Sequence, residues 1–95
     1  ADYQRPAYGI YAVRVRLPDG FERAGVANLG VRPTFDPPKE LLETYVFDFA
    51  GDLYGQTIEV ALHHYLRGEE KFASLNALTE QMQRDEAEAR RLLLP

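Results

Sequence analysis

The 95-residue sequence predicts a mainly β domain, a small antiparallel sheet or barrel with one C-terminal helix packed on it. Two observations lead to this fold class. Over the first two-thirds of the chain, apolar residues alternate with period two in segments that turn signals separate. From Ser74 onward the apolar period becomes about 3.6, as in an amphipathic helix. The length suits one domain with a single core, so we expect residues 1–95 to form one unit.

Four segments with alternating apolar residues are the predicted strands, which together run from about residue 8 to residue 66. The first, 8–17, is followed by the turn signal Pro-Asp-Gly at 18–20, where proline presets φ and glycine accepts positive φ. This turn predicts a hairpin between the first strand and a second at 21–30. The third and fourth strands are predicted at 41–49 and 57–66.

The remaining segments are predicted as connections and as the helix. Residues 31–40 contain three of the six prolines, so we expect an ordered surface loop there. Residues 50–56 read as a glycine-flanked turn. The helix is predicted at about 74–93, with Ser74 as its N-cap and an apolar stripe along one face.

Composition and charge exclude several classes of function. Eleven basic against fifteen acidic residues give a net charge of −4, which argues against binding nucleic acid through phosphate neutralisation. The absence of cysteine excludes disulfides and thiolate metal sites. No apolar run approaches the ~20 residues of a membrane span, and the N-terminus lacks a signal-peptide pattern. We therefore expect a soluble, cytoplasmic domain without a nucleic-acid or membrane partner.

The segment LLETYVFDF at 41–49 places a carboxylate on an aromatic face. As a strand, it directs Glu43, Tyr45, Phe47 and Phe49 to the same side. A carboxylate among aromatic rings has its ionised form disfavoured by desolvation, which suits a general base near neutral pH. The alternative is a residue at the rim of the sheet, with its carboxylate in water or paired with an arginine. Spacing alone favours this alternative.

Three weaker patterns have ordinary structural interpretations beside functional ones. Four residues at the end of the second strand and in the following loop could bind phosphate or simply form a structured turn: Asn28, Gly30, Arg32 and Thr34. Three aromatic residues in or beside loops could stack on a flat ligand or cover the core: Phe35, Tyr54 and Phe72. The adjacent His63 and His64 point to opposite faces of a strand, so we do not expect them to chelate one metal ion.

Several motifs in order give a more specific resemblance than any one of them. They are GIYAVRV, GVANLGVRPTFD, LLETYVFDF, GDLYGQ-IEV and YLRGEEKFASLNAL, followed by a helix that contains Asp85. The whole chain resembles the riboflavin kinase (flavokinase) domain at the C-terminus of bacterial bifunctional riboflavin kinase/FMN adenylyltransferases. This resemblance implies a Greek-key antiparallel β-barrel, here incomplete at its N-terminus, with one C-terminal helix. It also implies transfer of phosphate from ATP, with Mg²⁺, to the 5′-hydroxyl of riboflavin, giving FMN.

The resemblance also implies site residues. The family's catalytic base falls on Glu43. Its flavin contacts fall on Tyr54, Arg67, Glu70 and Phe72. The block N-x-G-x-R-P-T, that is Asn28, Gly30, Arg32 and Thr34, is assigned to the nucleotide side or to loop architecture. The family's metal-binding P-T-A-N segment is expected upstream of Ala1, so no metal ligand is expected in this chain.

The resemblance also implies the partners, the substrates and the activity of this chain. The adenylyltransferase domain is expected as a partner in the full protein, with riboflavin and ATP as small-molecule substrates. Without the upstream segment, the chain is expected to bind MgATP poorly and to turn over slowly. Two other functions stay open from the sequence: a non-catalytic, flavin-binding or regulatory β-barrel fragment, and an oligonucleotide-binding barrel, which the net charge disfavours.

Overall fold

A computed structural model describes residues 6–49 and 57–93 and contains four strands and one helix. The elements in chain order are β1 Gly9–Arg16, β2 Glu22–Arg32, β3 Lys39–Val46, β4 Glu59–Arg67 and α1 Leu75–Leu93. The predicted mainly β fold with a C-terminal helix is confirmed. Ser74 caps α1 as expected, since its hydroxyl accepts a hydrogen bond of 3.1 Å from the amide of Ala77.

The four strands form one antiparallel sheet in the order β3-β2-β1-β4. Three consecutive strands lie side by side and the fourth returns to pair with the first, which is Greek-key topology. The β1–β2 hairpin closes at the predicted turn, where Gly20 has a φ of 87° and the Asp19 carboxylate accepts a hydrogen bond from the Phe21 amide. Within the described ranges β3 and β4 are not paired with each other, so this sheet is open and compatible with a barrel.

The connection between β2 and β3 is shorter than the sequence indicates. Residues 31–40 were expected to be a loop, but Val31 pairs with Glu40 and Arg32 with Lys39. The prolines lie between these pairs, at positions 33, 37 and 38, so they interrupt only the tip of the connection. As a result, Arg32 is a strand residue that points across to β3.

The third strand is also shorter at its end than predicted. β3 ends at Val46, and Asp48 then adopts a positive φ of 53°. This turn sends Phe47 and Phe49 to different cores: Phe47 packs toward α1, whereas Phe49 packs against the core on the opposite face of the sheet. The prediction that Phe49 shares the face of Glu43 is therefore wrong.

The two faces of the sheet carry separate apolar clusters. On one face, Val13 and Val15 of the alternating β1 strand are fully buried. On the other face, Ala89 and Leu93 attach the C-terminal half of α1 to the sheet. Arg14 extends from this face and donates a hydrogen bond to the carbonyl of Leu93. The helix is therefore anchored at its C-terminal end.

An exposed ion pair joins the β3–β4 connection to this anchored end. The guanidinium of Arg90 donates two hydrogen bonds of 3.0 and 3.1 Å to the Asp48 carboxylate and lies over the ring of Phe47. These hydrogen bonds lower the pKa of the Asp48 carboxyl below its ordinary value of 3.8. The pair holds a positive-φ turn in place against the helix.

We expect Asp48→Asn to remove an acid-sensitive part of the stability. Because the folded-state pKa is lowered, this contribution is present above pH 3.8 and is lost as pH falls through the folded-state pKa. Urea unfolding at pH 6 and at decreasing pH should show a difference between the two proteins that shrinks toward zero below pH 3.8. If the difference in the free energy of unfolding does not depend on pH, the acid-sensitive stability does not come from the Asp48–Arg90 ion pair.

Candidate functional site

A groove of about 1060 Å³ lies between the N-terminal half of α1 and the sheet, beside the connection from β4 to α1. It exists because α1 packs closely on the sheet only through its C-terminal half. Leu75 and Met82 belong to the predicted apolar stripe, yet they are 76% and 52% exposed and line the groove with Leu78. An apolar wall that the sheet leaves uncovered is typical of a ligand site.

The opposite wall of the groove is polar and comes from β2 and β3. Asn28 and Glu43 are direct cross-strand partners, so both side chains project from the same face of the sheet. Both residues line the groove together with Tyr45, whose ring lies 5.9 Å from that of Phe47. The site therefore has one apolar wall on the helix and one polar wall on the strands.

Glu43 lies at the accessible side of this groove. Its side chain is 56% exposed, and its carboxylate forms an ion pair with Arg32 of β2. Of the two interpretations of Glu43, the desolvated carboxylate among three rings is not the one found, because the chain turns at Asp48 and sends Phe49 to the other face. The geometry is that of the alternative, an accessible carboxylate paired with an arginine. Such a group is open to a ligand.

Arg67, at the end of β4, is held by the most buried charged side chain of the described residues. Asp85 of α1 is 6% exposed and accepts hydrogen bonds of 3.0 and 2.8 Å from Nε and Nη2 of Arg67. Gln81 donates a third bond, of 2.9 Å, to the same carboxylate. The hydrogen bond to Asp85 raises the pKa of Arg67 above its ordinary range, so the guanidinium stays charged.

Asp85 itself was not among the predicted site residues, although the pattern contained a signal. Leu75, Leu78, Met82, Asp85 and Ala89 follow one another at intervals of three and four residues, so a carboxylate occupies a position on the apolar stripe. A charge at such a position requires a buried partner. The partner, Arg67, is eighteen residues earlier, and only the fold brings the two together.

The structure brings together some of the predicted site residues and separates others. Five of them line the groove: Asn28, Glu43, Arg67, Glu70 and Phe72. Two adjoin it, since Arg32 pairs with Glu43 and a methyl group on Gly30 would overlap the Glu69 carboxylate. Thr34 and Phe35 lie in the exposed β2–β3 connection and do not line the groove. Tyr54 lies outside the described residues.

The side chain of Asn28, which lines the groove, contains a buried acceptor. Among residues 6–49 and 57–93, its Oδ1 atom has no hydrogen-bond partner. An unpaired buried acceptor typically costs about 1–3 kcal/mol, and natural structures keep few of them.

Replacing Asn28 with leucine of similar shape should therefore not reduce stability. We expect the free energy of unfolding to stay unchanged or to rise by about 1 kcal/mol, because the unpaired oxygen is removed. Urea unfolding of Asn28→Leu measures this, with the exposed helix residue Asn76→Leu as the matched control. A loss of more than about 1 kcal/mol would show that the amide is bonded in the free protein.

Neither a metal cluster nor a membrane-spanning helix is found in the described part of the chain. Residues 6–49 and 57–93 contain no group of three or more His, Cys, Asp or Glu side chains that could hold a metal ion. His63 and His64 are both exposed, with ring centroids 6.5 Å apart. α1, the single helix of these ranges, is not long and apolar enough to cross a bilayer.

Comparisons with known proteins show which family the chain resembles. A family model described as riboflavin kinase matches residues 1–93. Proteins named bifunctional riboflavin kinase/FMN adenylyltransferase are 47% identical over 91 residues in Pseudomonas fluorescens, 46% over 80 in Haemophilus influenzae and 45% over 85 in Escherichia coli. These matches cover 95%, 84% and 90% of this chain, which spans only 29%, 26% and 27% of those relatives.

A solved structure shares the fold as well. A protein from Streptococcus pneumoniae, described as a macrolide-efflux protein, superimposes with a TM-score of 0.83 at 33% sequence identity. The match covers 92% of this chain and 28% of that one. The Greek-key sheet with its C-terminal helix is thus a unit that recurs within much longer chains.

Proposed function

This chain belongs to the riboflavin kinase family, and from that membership and the groove we propose that it phosphorylates riboflavin on its 5′-hydroxyl with ATP, giving FMN. We propose that it does so within a longer protein that also carries an adenylyltransferase domain, as the names of its relatives suggest. Because ATP is the phosphate donor, we place the reaction in the cytoplasm. One observation carries the proposal: an accessible carboxylate, Glu43, faces an apolar wall across a groove.

The two walls of the groove match the two parts of riboflavin. The isoalloxazine ring is flat and largely apolar, so it suits the wall formed by Phe72, Leu78 and Met82. The ribityl chain is a row of hydroxyl groups, so it suits the polar side chains of Asn28 and Glu43 on the strand wall. This orientation directs the end of the ribityl chain toward Glu43.

In this arrangement Glu43 acts as the base. The 5′-hydroxyl donates its proton to the Glu43 carboxylate while its oxygen attacks the γ-phosphorus of ATP, and the bond to the β,γ-bridging oxygen breaks so that ADP leaves. Arg32 keeps the carboxylate oriented through their ion pair. Phosphoryl transfer depends mostly on positioning and charge neutralisation, so the protein needs only one oriented carboxylate to accept the proton in this step.

The remaining predicted residues keep supporting roles in the proposal. Arg67, Glu70 and Phe72 contact the flavin from the β4–α1 connection, and Tyr54 is proposed as a fourth contact. Gly30 and Thr34 belong to the nucleotide side or shape the loop. Mg²⁺ neutralises phosphate charge when it is bound with ATP. The described residues contain no cluster that fits this ion, so we assign none of them as its ligand.

The proposed activity can be tested directly. FMN formation from riboflavin and MgATP is measured for the chain alone and for a chimera in which it replaces the matching 85-residue segment of the Escherichia coli relative. We expect the chimera to form FMN and the relative without that segment to form none. A chimera that binds riboflavin but forms no FMN would contradict kinase activity and favour a flavin-binding module.

A further inference from the structure

Asp85 is a buried residue at the edge of the groove, and its carboxylate accepts three hydrogen bonds from neighbouring side chains. We infer that Asp85 is a positioning residue for flavin recognition: it fixes the Arg67 guanidinium over the ring of Phe72, and this stacked pair lines one wall of the groove. The inference rests on the proposed function, because it assigns the flat part of the ligand to this wall.

The hydrogen bonds leave the Arg67 guanidinium little freedom. Nε and Nη2 bind the two oxygens of Asp85 in a fork, and Nη1 donates a bond of 3.0 Å to the carbonyl of Gly68. A guanidinium is planar, so bonds in three directions fix its plane as well as its position. Gln81 in turn holds the Asp85 oxygen from within the same helix.

The fixed guanidinium contacts a segment that has no regular secondary structure. Phe72 lies in the connection between β4 and α1, which contains neither strand nor helix. Arg67 lies over the Phe72 ring at 5.8 Å from its centroid, and its bond to Gly68 holds the start of the same connection. Asp85 thereby ties the β4–α1 connection beside the groove to α1 through one arginine.

A flat cation stacked over an aromatic ring suits a planar conjugated ligand. The stacked pair offers broad outer faces on which such a ligand can stack. Stacking is most favourable when the guanidinium and the ring are already fixed in position. Otherwise, part of the binding free energy is lost in ordering these two side chains. Losing Asp85 should therefore weaken flavin binding even though Asp85 makes no flavin contact.

The test compares riboflavin affinity, measured by quenching of flavin fluorescence, between variants of the 95-residue chain. Asp85→Asn keeps the shape of the side chain but turns one acceptor into a donor that faces Arg67. We expect its Kd to rise about tenfold, and the protected ¹⁵N Nε–H signal of Arg67 to be lost. Glu88→Gln makes the same change in an exposed pair with Arg91 on the same helix, and its affinity should stay within about twofold.

A double variant separates positioning from mere folding. Arg67→Met/Asp85→Met removes both charges, so it should fold stably even if Asp85→Asn does not. We expect its riboflavin Kd to remain raised about tenfold, because the flat cation is gone. If the unsubstituted chain binds riboflavin and both variants bind within about twofold of it, the inference is overturned and the proposed function stands. If the unsubstituted chain does not bind riboflavin, the proposed function fails and the inference fails with it.

Discussion

Replacing Glu43 with glutamine is expected to lower kcat for FMN formation by about 10²-fold or more, which is the usual size of a general-base contribution. Glutamine keeps the length of the side chain and can still accept a hydrogen bond from Arg32, so the groove keeps its shape. What it loses is the ability to take the proton of the 5′-hydroxyl. Riboflavin affinity should therefore change by no more than about twofold.

The measurement is steady-state FMN formation by the Escherichia coli chimera, together with riboflavin titration of the same protein. Glu22→Gln is the matched control, because it removes a carboxylate from β2 that pairs with Arg16 outside the groove. Its kcat should equal that of the unsubstituted chimera. If Glu43→Gln retains a kcat within about threefold, Glu43 is not the base, whatever its position in the groove.

Asp85→Ala is expected to lower the free energy of unfolding by about 3 kcal/mol, since removal of one partner of a buried ion pair leaves the other uncompensated. Arg67 is the stranded partner, with 17% of its side chain exposed, and Gln81 also loses its acceptor. Some solvent reaches Arg67, which places the loss at the low end of values for buried pairs. No other single substitution discussed for this protein should cost as much stability.

Urea unfolding of three variants checks this value. Glu88→Ala removes a carboxylate from an exposed pair of the same helix and should leave the free energy of unfolding nearly unchanged. Arg67→Met/Asp85→Met should recover most of the loss, because two apolar side chains replace two charges. A loss below about 1 kcal/mol for Asp85→Ala would mean that the pair behaves as a surface pair.

The sequence was sufficient for the parts of the fold that depend on local patterns. Alternation in β1 predicts its buried positions, and Val13 and Val15 are fully buried. The turn at 18–20 predicts the β1–β2 hairpin because its geometry is encoded in neighbouring residues. The change of period and the cap at Ser74 predict where α1 begins.

The site depended on contacts that local patterns do not contain. The Arg32–Glu43 pair requires β2 to continue to Arg32 and β3 to begin at Lys39, which the neighbouring prolines conceal. The turn at Asp48, which separates Phe49 from the face of Glu43, has no glycine to mark it. Asp85 stands out on its helix stripe, but its partner is known only once β4 lies beside α1.

The central claim is that riboflavin binds in the groove between α1 and the sheet, with its ribityl chain toward Glu43. Amide chemical-shift mapping of the ¹⁵N-labelled chain during a riboflavin titration tests this most directly. The account predicts that the largest shifts fall on residues that line the groove, namely Asn28, Glu43, Arg67, Phe72 and Leu78. Shifts centred instead on the cleft formed by Arg16, Glu59 and His63, with the groove residues unchanged, would contradict it.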